Sequence, residues 1–281
     1  MGCGISCIKI FEDNCCSLCC QCMKERKIHA PLSHPVWTYE DQHAWSQIDP
    51  LCTNGKHQSP VKIDVSSLVK SHSMIYLELR NWRYPAYGYL KNNGHTAVFN
   101  PTKKLTSLKN HKGTYILQQF HFHWGRHSGE GSEHIVHGRQ YDAEIHFVHR
   151  KEGVDANLLQ ADTFSILAVF CEAKDTEPYG IWKQLTIPTE YESAHTVSNI
   201  IYKDLLPNDL HYCYYEGSLT TPPCSEAVHW FVMMSSISIP LKVLQMLHST
   251  KGPHGNIEWN IRSVQPLNDR AVYGEYLSGL S

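Results

Sequence analysis

The chain has 281 residues, 25 Lys+Arg against 27 Asp+Glu and a formal net charge of -2. That length allows one large domain or two small ones with a sizeable core, and 42% hydrophobic with 19% charged residues excludes wholesale disorder. The near-neutral balance, without a basic stripe, gives no electrostatic reason for a nucleic-acid partner. The unusual counts are 19 His and 11 Cys.

In chain order the first segment is a cysteine-rich tail over 1–30, expected to be flexible. It holds Cys3, Cys7, Cys15, Cys16, Cys19, Cys20 and Cys22, whereas only Cys52, Cys171, Cys213 and Cys224 follow. It is a poor secretory signal, because it lacks a basic start and Glu12, Asp13 and Asn14 interrupt its apolar run. No stretch approaches the ~18 apolar residues needed to cross a bilayer. Gly2 followed by Ser6 matches the myristoylation pattern, and Cys3 beside it is a natural palmitoylation position. Two acyl chains anchor stably where one does not. Two other readings stand beside acylation: an unmodified leader, or soft-metal binding through Cys16-x-x-Cys19. From Pro31 onward the composition is even, so a single domain over 31–281 is expected.

The run Tyr115 to Trp124, after a turn signal at Lys112-Gly113, reads as a strand. On a strand alternate side chains share a face. Gln119, His121 and His123 therefore point one way, and Phe120, Phe122 and Trp124 the other. The glycine-rich run Gly125 to Gly131 predicts an antiparallel return into a second strand over Tyr141 to His149. There Glu144, His146 and Val148 share a face, while His149 lies on the opposite one. His146 and His149 are therefore poor joint ligands, and His146 is preferred because Glu144 on its own face can orient it, as Gln119 can orient His121. Three imidazoles with one open position are the donor set of catalytic zinc. The commonplace alternative, unrelated core and surface histidines, weakens once the H-x-H pair, its orienting partners and the distal E-x-H are taken together. The clearest helix signal comes late, at Pro240 to His248, with apolar Leu241, Leu244 and Leu247.

These residues resemble the α-class carbonic anhydrases. The likeness runs through QSPVKID at Gln58 to Asp64, NNGH at Asn92 to His95, QFHFHWG, GEGSEH, YDAEIHFVH, GSLTTPPC at Gly217 to Cys224, and N-x-R-x-x-QPL from Asn260 to Leu267. It covers nearly all of 31–281 and omits the tail. The resemblance implies a mixed, predominantly β fold: a large twisted, mostly antiparallel sheet with short peripheral helices. It implies reversible hydration of carbon dioxide to bicarbonate and a proton by a zinc-bound hydroxide. It further implies His121, His123 and His146 as Zn(2+) ligands, Thr220 oriented by Glu133 to hold the hydroxide, and His95 as proton shuttle. Thr221 falls in the substrate pocket, whose apolar wall is Val148, Ile166, Leu219, Val228 and Trp230. Tyr39 and Asn93 fall on its hydrophilic side. Two positions depart from the pattern: Val98 replaces a polar residue common near the shuttle, and Arg150 replaces a bulky apolar one.

The resemblance also implies a Cys52–Cys224 disulfide, as in secreted and ectodomain members. Disulfides belong to oxidising compartments, whereas N-myristoylation belongs to the cytosol. The two signals conflict. The sequence reading favours a cytoplasmic protein lipid-anchored to the inner membrane face, with a secreted, disulfide-bonded protein as the alternative. Cys171 and Cys213 read as buried thiols. A monomer acting on carbon dioxide and bicarbonate is expected. The competing function is a carbonic anhydrase-like binding module without catalysis, a class of relative that has lost zinc histidines.

Overall fold

The computed structural model describes residues 37–70, 75–155, 159–276 and 279–280. The tail, with Gly2, Cys3 and the Cys16-x-x-Cys19 pair, lies outside the described residues. The principal strands are β1 (Ala86–Asn92), β2 (Ala97–Pro101), β3 (Gly113–Trp124), β4 (Ala143–Lys151), β5 (Phe164–Lys174), β6 (Ala194–Ile200), β7 (His211–Gly217), β8 (Val228–Met233) and β9 (Tyr273–Tyr276). The described α-helices are short: α1 (Leu51–Asn54) and α2 (Leu241–His248). The sheet runs in the order β6-β1-β2-β3-β4-β5-β8-β7-β9. Most neighbours are antiparallel, as expected. The pair β5–β8 is parallel, with Ile166 opposite Trp230.

Strand β3 pairs antiparallel with β4, as the glycine-rich connection predicts, and sets His121 opposite His146 and His123 opposite Glu144. A register shift between Leu117 and Gln119 inserts an extra residue. Its effect is visible in burial. Tyr115 and Leu117 are buried before it, Phe120, Phe122 and Trp124 after it. The bulge moves the inward face from odd to even positions. Downstream of it Gln119, His121 and His123 share the other face, as the alternation predicts.

The connection between β3 and β4 is more than a tight turn. Its residues Ile135–Val136 form a short strand parallel to Lys62–Ile63. Two glycines let it fold back. A Cβ on Gly131 would lie 1.9 Å from the Asp142 carbonyl oxygen, and one on Gly125 2.2 Å from that of Glu130, so neither position admits a side chain.

Apolar side chains fill both sides of the sheet. One side carries Phe120, Phe122, Ile145, Phe147 and Leu167; the other carries Val148, Ile166, Ala168, Tyr215 and Trp230. His146, two residues from Val148 and opposite Ala168, belongs to the second side. Helix α2 starts one residue later than predicted, with Pro240 as its N-cap, and buries Val243, Leu244 and Leu247. Leu241, expected on the apolar face, is instead exposed.

Candidate metal centre

The three predicted histidines converge. One nitrogen from each of His121, His123 and His146 lies within 4.8 Å of the others, and His121 Nε2 is 3.0 Å from His123 Nε2. The far nitrogen of each ring has its own partner. His121 Nδ1 lies 2.9 Å from Gln119 Oε1. His146 Nε2 lies 2.7 Å from Glu144 Oε1. These are the two predicted orienting partners. The third was not predicted: His123 Nδ1 lies 2.7 Å from the main-chain oxygen of Asn260. A backbone carbonyl carries no residue signature, so sequence reasoning had nothing to find. With the far nitrogens occupied, the rings face each other through His121 Nε2, His123 Nε2 and His146 Nδ1.

The electrostatics favour metal donors over charged histidines. Burial, then the neighbouring histidines, hold His121 well below its ordinary pKa. Burial pushes His146 down to about 3. Both rings are therefore neutral at physiological pH, the form that ligates. Burial raises the Glu144 carboxyl, but His134 and His146 more than reverse this and keep it ionised. His134 is a second residue that the sequence reading left without a role. Its Nδ1 meets Glu144 Oε1 at 2.7 Å and its Nε2 meets the Tyr215 hydroxyl at 2.7 Å. Glu144 is thereby fixed from both sides. His149 lies elsewhere, as its parity requires: its Nδ1 is 2.9 Å from the Phe147 carbonyl and its ring stacks on Trp82.

Glu133 is buried, and its Oε1 accepts from the Arg262 main-chain N–H at 2.8 Å. Its Oε2 lies 3.6 Å from His123 Nε2 and 3.8 Å from His146 Nδ1. Burial raises its pKa, and a nearby Thr220 hydroxyl is among the groups that lower it. Glu133 Oε2 is a buried acceptor without a hydrogen-bond partner. The donor chemistry and this orphaned oxygen beside it fit a bound Zn(2+). Thr220 is buried and Thr221 half-buried, in the turn where Cys224 N–H donates to the Thr221 carbonyl.

The predicted apolar wall assembles beside the histidines. Val148, Ile166, Val228 and Trp230 are buried in one cluster, with Leu219 packed against it. The Trp230 ring lies 4.8 Å from that of His146, and its indole N–H donates to the Ser218 carbonyl. His95 sits in the β1–β2 turn, where Asn93 Oδ1 accepts from the main-chain N–H groups of His95 and Thr96. Asn93 thus shapes the turn that carries His95. The His95 ring stacks on Trp37 at 3.9 Å, and both border a cleft of about 100 Å³ with Pro253 and Trp259. Tyr39 is buried with Trp45, Cys52 and Cys224. Burial and then the Glu133 charge raise its phenol pKa. Val98 stands directly opposite His121. Arg150 places its guanidinium over the Phe164 ring.

Asn260 joins these parts. Its amide nitrogen donates to the carbonyls of His95 (3.0 Å) and Phe122 (2.9 Å), and its Oδ1 accepts from Trp124 N–H at 2.7 Å. Cys52 and Cys224 form a disulfide. Cys171 and Cys213 are buried free thiols, as predicted.

A twisted, largely antiparallel sheet with three converging imidazoles on one side defines a carbonic anhydrase scaffold. The chain belongs to this family: the family model described as eukaryotic-type carbonic anhydrase matches residues 40–276. It is similar to carbonic anhydrase 6 of Bos taurus, 33% identical over 263 residues covering 86% of this chain and 81% of that one. Carbonic anhydrase 6 of Homo sapiens is 33% identical over 257 residues, covering 85% and 83%. Carbonic anhydrase 7 of Mus musculus is 33% identical over 263 residues, covering 86% and 98%.

Proposed function

We propose that this chain is a zinc enzyme that hydrates carbon dioxide reversibly. The observation that carries the reading is the inward convergence of three imidazoles, each with its far nitrogen held. His121, His123 and His146 would hold the ion. Zinc bound this way lowers the pKa of water to about 7, the value established for carbonic anhydrases as a class. Gln119, Glu144 and the Asn260 carbonyl fix the rings and their tautomers. Thr220, turned to donate its hydroxyl hydrogen bond to Glu133 Oε2, would keep its own oxygen as the acceptor that orients the attacking group. Glu133 is kept in place by the Arg262 N–H. Thr221, Val148, Ile166, Leu219, Val228 and Trp230 form the substrate pocket, suited to a neutral linear molecule. His95 takes the proton outward, since an imidazole titrates near neutral pH.

The acatalytic binding module is the weaker reading, because all three histidines, Thr220 and Glu133 are retained. The Cys52–Cys224 disulfide favours an oxidising compartment, and nothing in the described residues supports the cytosolic, lipid-anchored placement. The test is stopped-flow hydration of carbon dioxide by the full chain, with zinc analysis of the same sample. Stoichiometric zinc and a rate well above buffer are expected. Absence of either overturns the reading.

A further inference from the structure

A second group of metal-binding side chains lies on the opposite side of the sheet. His229 and Glu216 project from β8 and β7 on the face away from Trp230 and Tyr215, and His111 from the turn before β3. One donor atom from each of His111, Glu216 and His229 lies within 4.8 Å of the others. None of the three has a part in the site described above.

The arrangement has features of a built site. His229 is buried, and its Nε2 is held at 2.7 Å by Asp162 Oδ1. That is the carboxylate–histidine contact that fixes a ligating ring. It turns Nδ1 toward Glu216 Oε1, 4.0 Å away. His111 Nδ1 is buried without a hydrogen-bond partner. Burial, first among several causes, lowers the pKa of both histidines, which favours the neutral form. The Tyr214 hydroxyl stands among the three, 2.6 Å from His229 Nδ1, 3.2 Å from Glu216 Oε1 and 3.4 Å from His111 Nε2. It meets the same donors that a cation would meet. Glu216 is exposed, so the site opens to solvent.

We propose that His111, Glu216 and His229 form a second site for a divalent first-row transition metal, with Asp162 orienting His229. Two imidazoles and a carboxylate suit zinc, nickel or copper. Two groups must yield on binding. Tyr214 gives up its contact with His229 Nδ1, or becomes a fourth donor. Lys112 Nζ, 3.7 Å from Glu216 and 3.8 Å from Asp162, gives up its ion pairs. The second site is therefore weaker than the first.

The test is equilibrium dialysis of the full chain against micromolar zinc, after free thiols are alkylated so that the tail cysteines do not bind it. Elemental analysis should give about two zinc per chain in the parent and about one in Glu216→Gln and in His111→Gln. Both substitutions are at the opening of the site and leave carbon dioxide hydration unchanged. His121→Ala should lose one equivalent and retain the Glu216-dependent one, which separates this site from the candidate catalytic centre. A parent that binds no equivalent dependent on Glu216 and His111 overturns the proposal, whatever the fate of the first site.

Discussion

The disulfide offers a quantitative test of how the fold is held. Cys52 and Cys224 are separated by 172 residues. Closing a loop of that size in the unfolded chain removes entropy equivalent to about 5 kcal/mol at 25 °C. At ~2.1 cal/mol/K per residue, a domain of ~250 residues unfolds with an entropy of roughly 0.5 kcal/mol/K. The double substitution Cys52→Ala, Cys224→Ala should therefore lower Tm by about 10 °C. Little native packing is lost besides the bond, since the Arg262 guanidinium holds the Cys52 carbonyl at 2.7 Å irrespective of the side chain. Thermal melts followed by circular dichroism, with and without reductant, make the comparison. Reductant should bring the parent to the melting temperature of the variant and leave the variant unmoved. A variant that melts within about 3 °C of the parent refutes the loop-closure reasoning. So does a reductant effect that persists in the variant.

Three further outcomes follow from the site and the core. His95→Ala should lower kcat by about tenfold or more while kcat/KM stays unchanged, because proton export follows product release; added imidazole should restore kcat, and an unaltered kcat removes the shuttle assignment. Burial also lowers the His95 pKa, so the limb of kcat that it governs should lie below the ordinary histidine value. Glu133→Gln should cost about 10²-fold in kcat/KM with zinc content intact, and zinc loss or full activity would assign Glu133 to another role. His149 is buried with its pKa lowered to about 4 from 6.5. The unfolded chain therefore binds a proton there that the native state refuses. Stability is unaffected above pH 6.5 and falls by about 3 kcal/mol as pH drops through that window toward 4. His149→Phe should flatten that acid limb in denaturant titrations; an unchanged limb would assign it to other groups.

The sequence made the metal centre legible through alternation. Parity put His121 and His123 on one face and separated His146 from His149, and the carboxylate of Glu144 on its own face singled out His146. The bulge at Gln118 also leaves a trace: apolar residues shift from Tyr115 and Leu117 to Phe120 and Phe122. The orienting roles of Gln119 and Glu144 follow from the same two-residue spacing. What stayed hidden acts through the main chain or across long separations. The Asn260 carbonyl on His123 and the Arg262 N–H on Glu133 have no side-chain signature. His134 meets Glu144 because the loop between β3 and β4 folds back, and its path depends on the two crowded glycines. The parallel β5–β8 pair was equally invisible, since a buried strand reads alike in either direction. The disulfide came from family likeness, which is also what gave Thr220, Glu133 and His95 their expected roles.

Asn260 restricts how this protein can vary. Its side chain satisfies the Trp124 N–H and reaches the carbonyls of His95 and Phe122, and its own main chain holds a histidine. Aspartate at this position would set a carboxylate oxygen against two carbonyls. Leucine would strand the buried Trp124 N–H, at about 1–3 kcal/mol, and take one partner from the His95 and Phe122 carbonyls, the latter still held by the Thr96 hydroxyl. Substitution at this position is therefore costly. Because it grips the His95 turn and the His123 ring together, the placements of these two histidines cannot be adjusted separately through it.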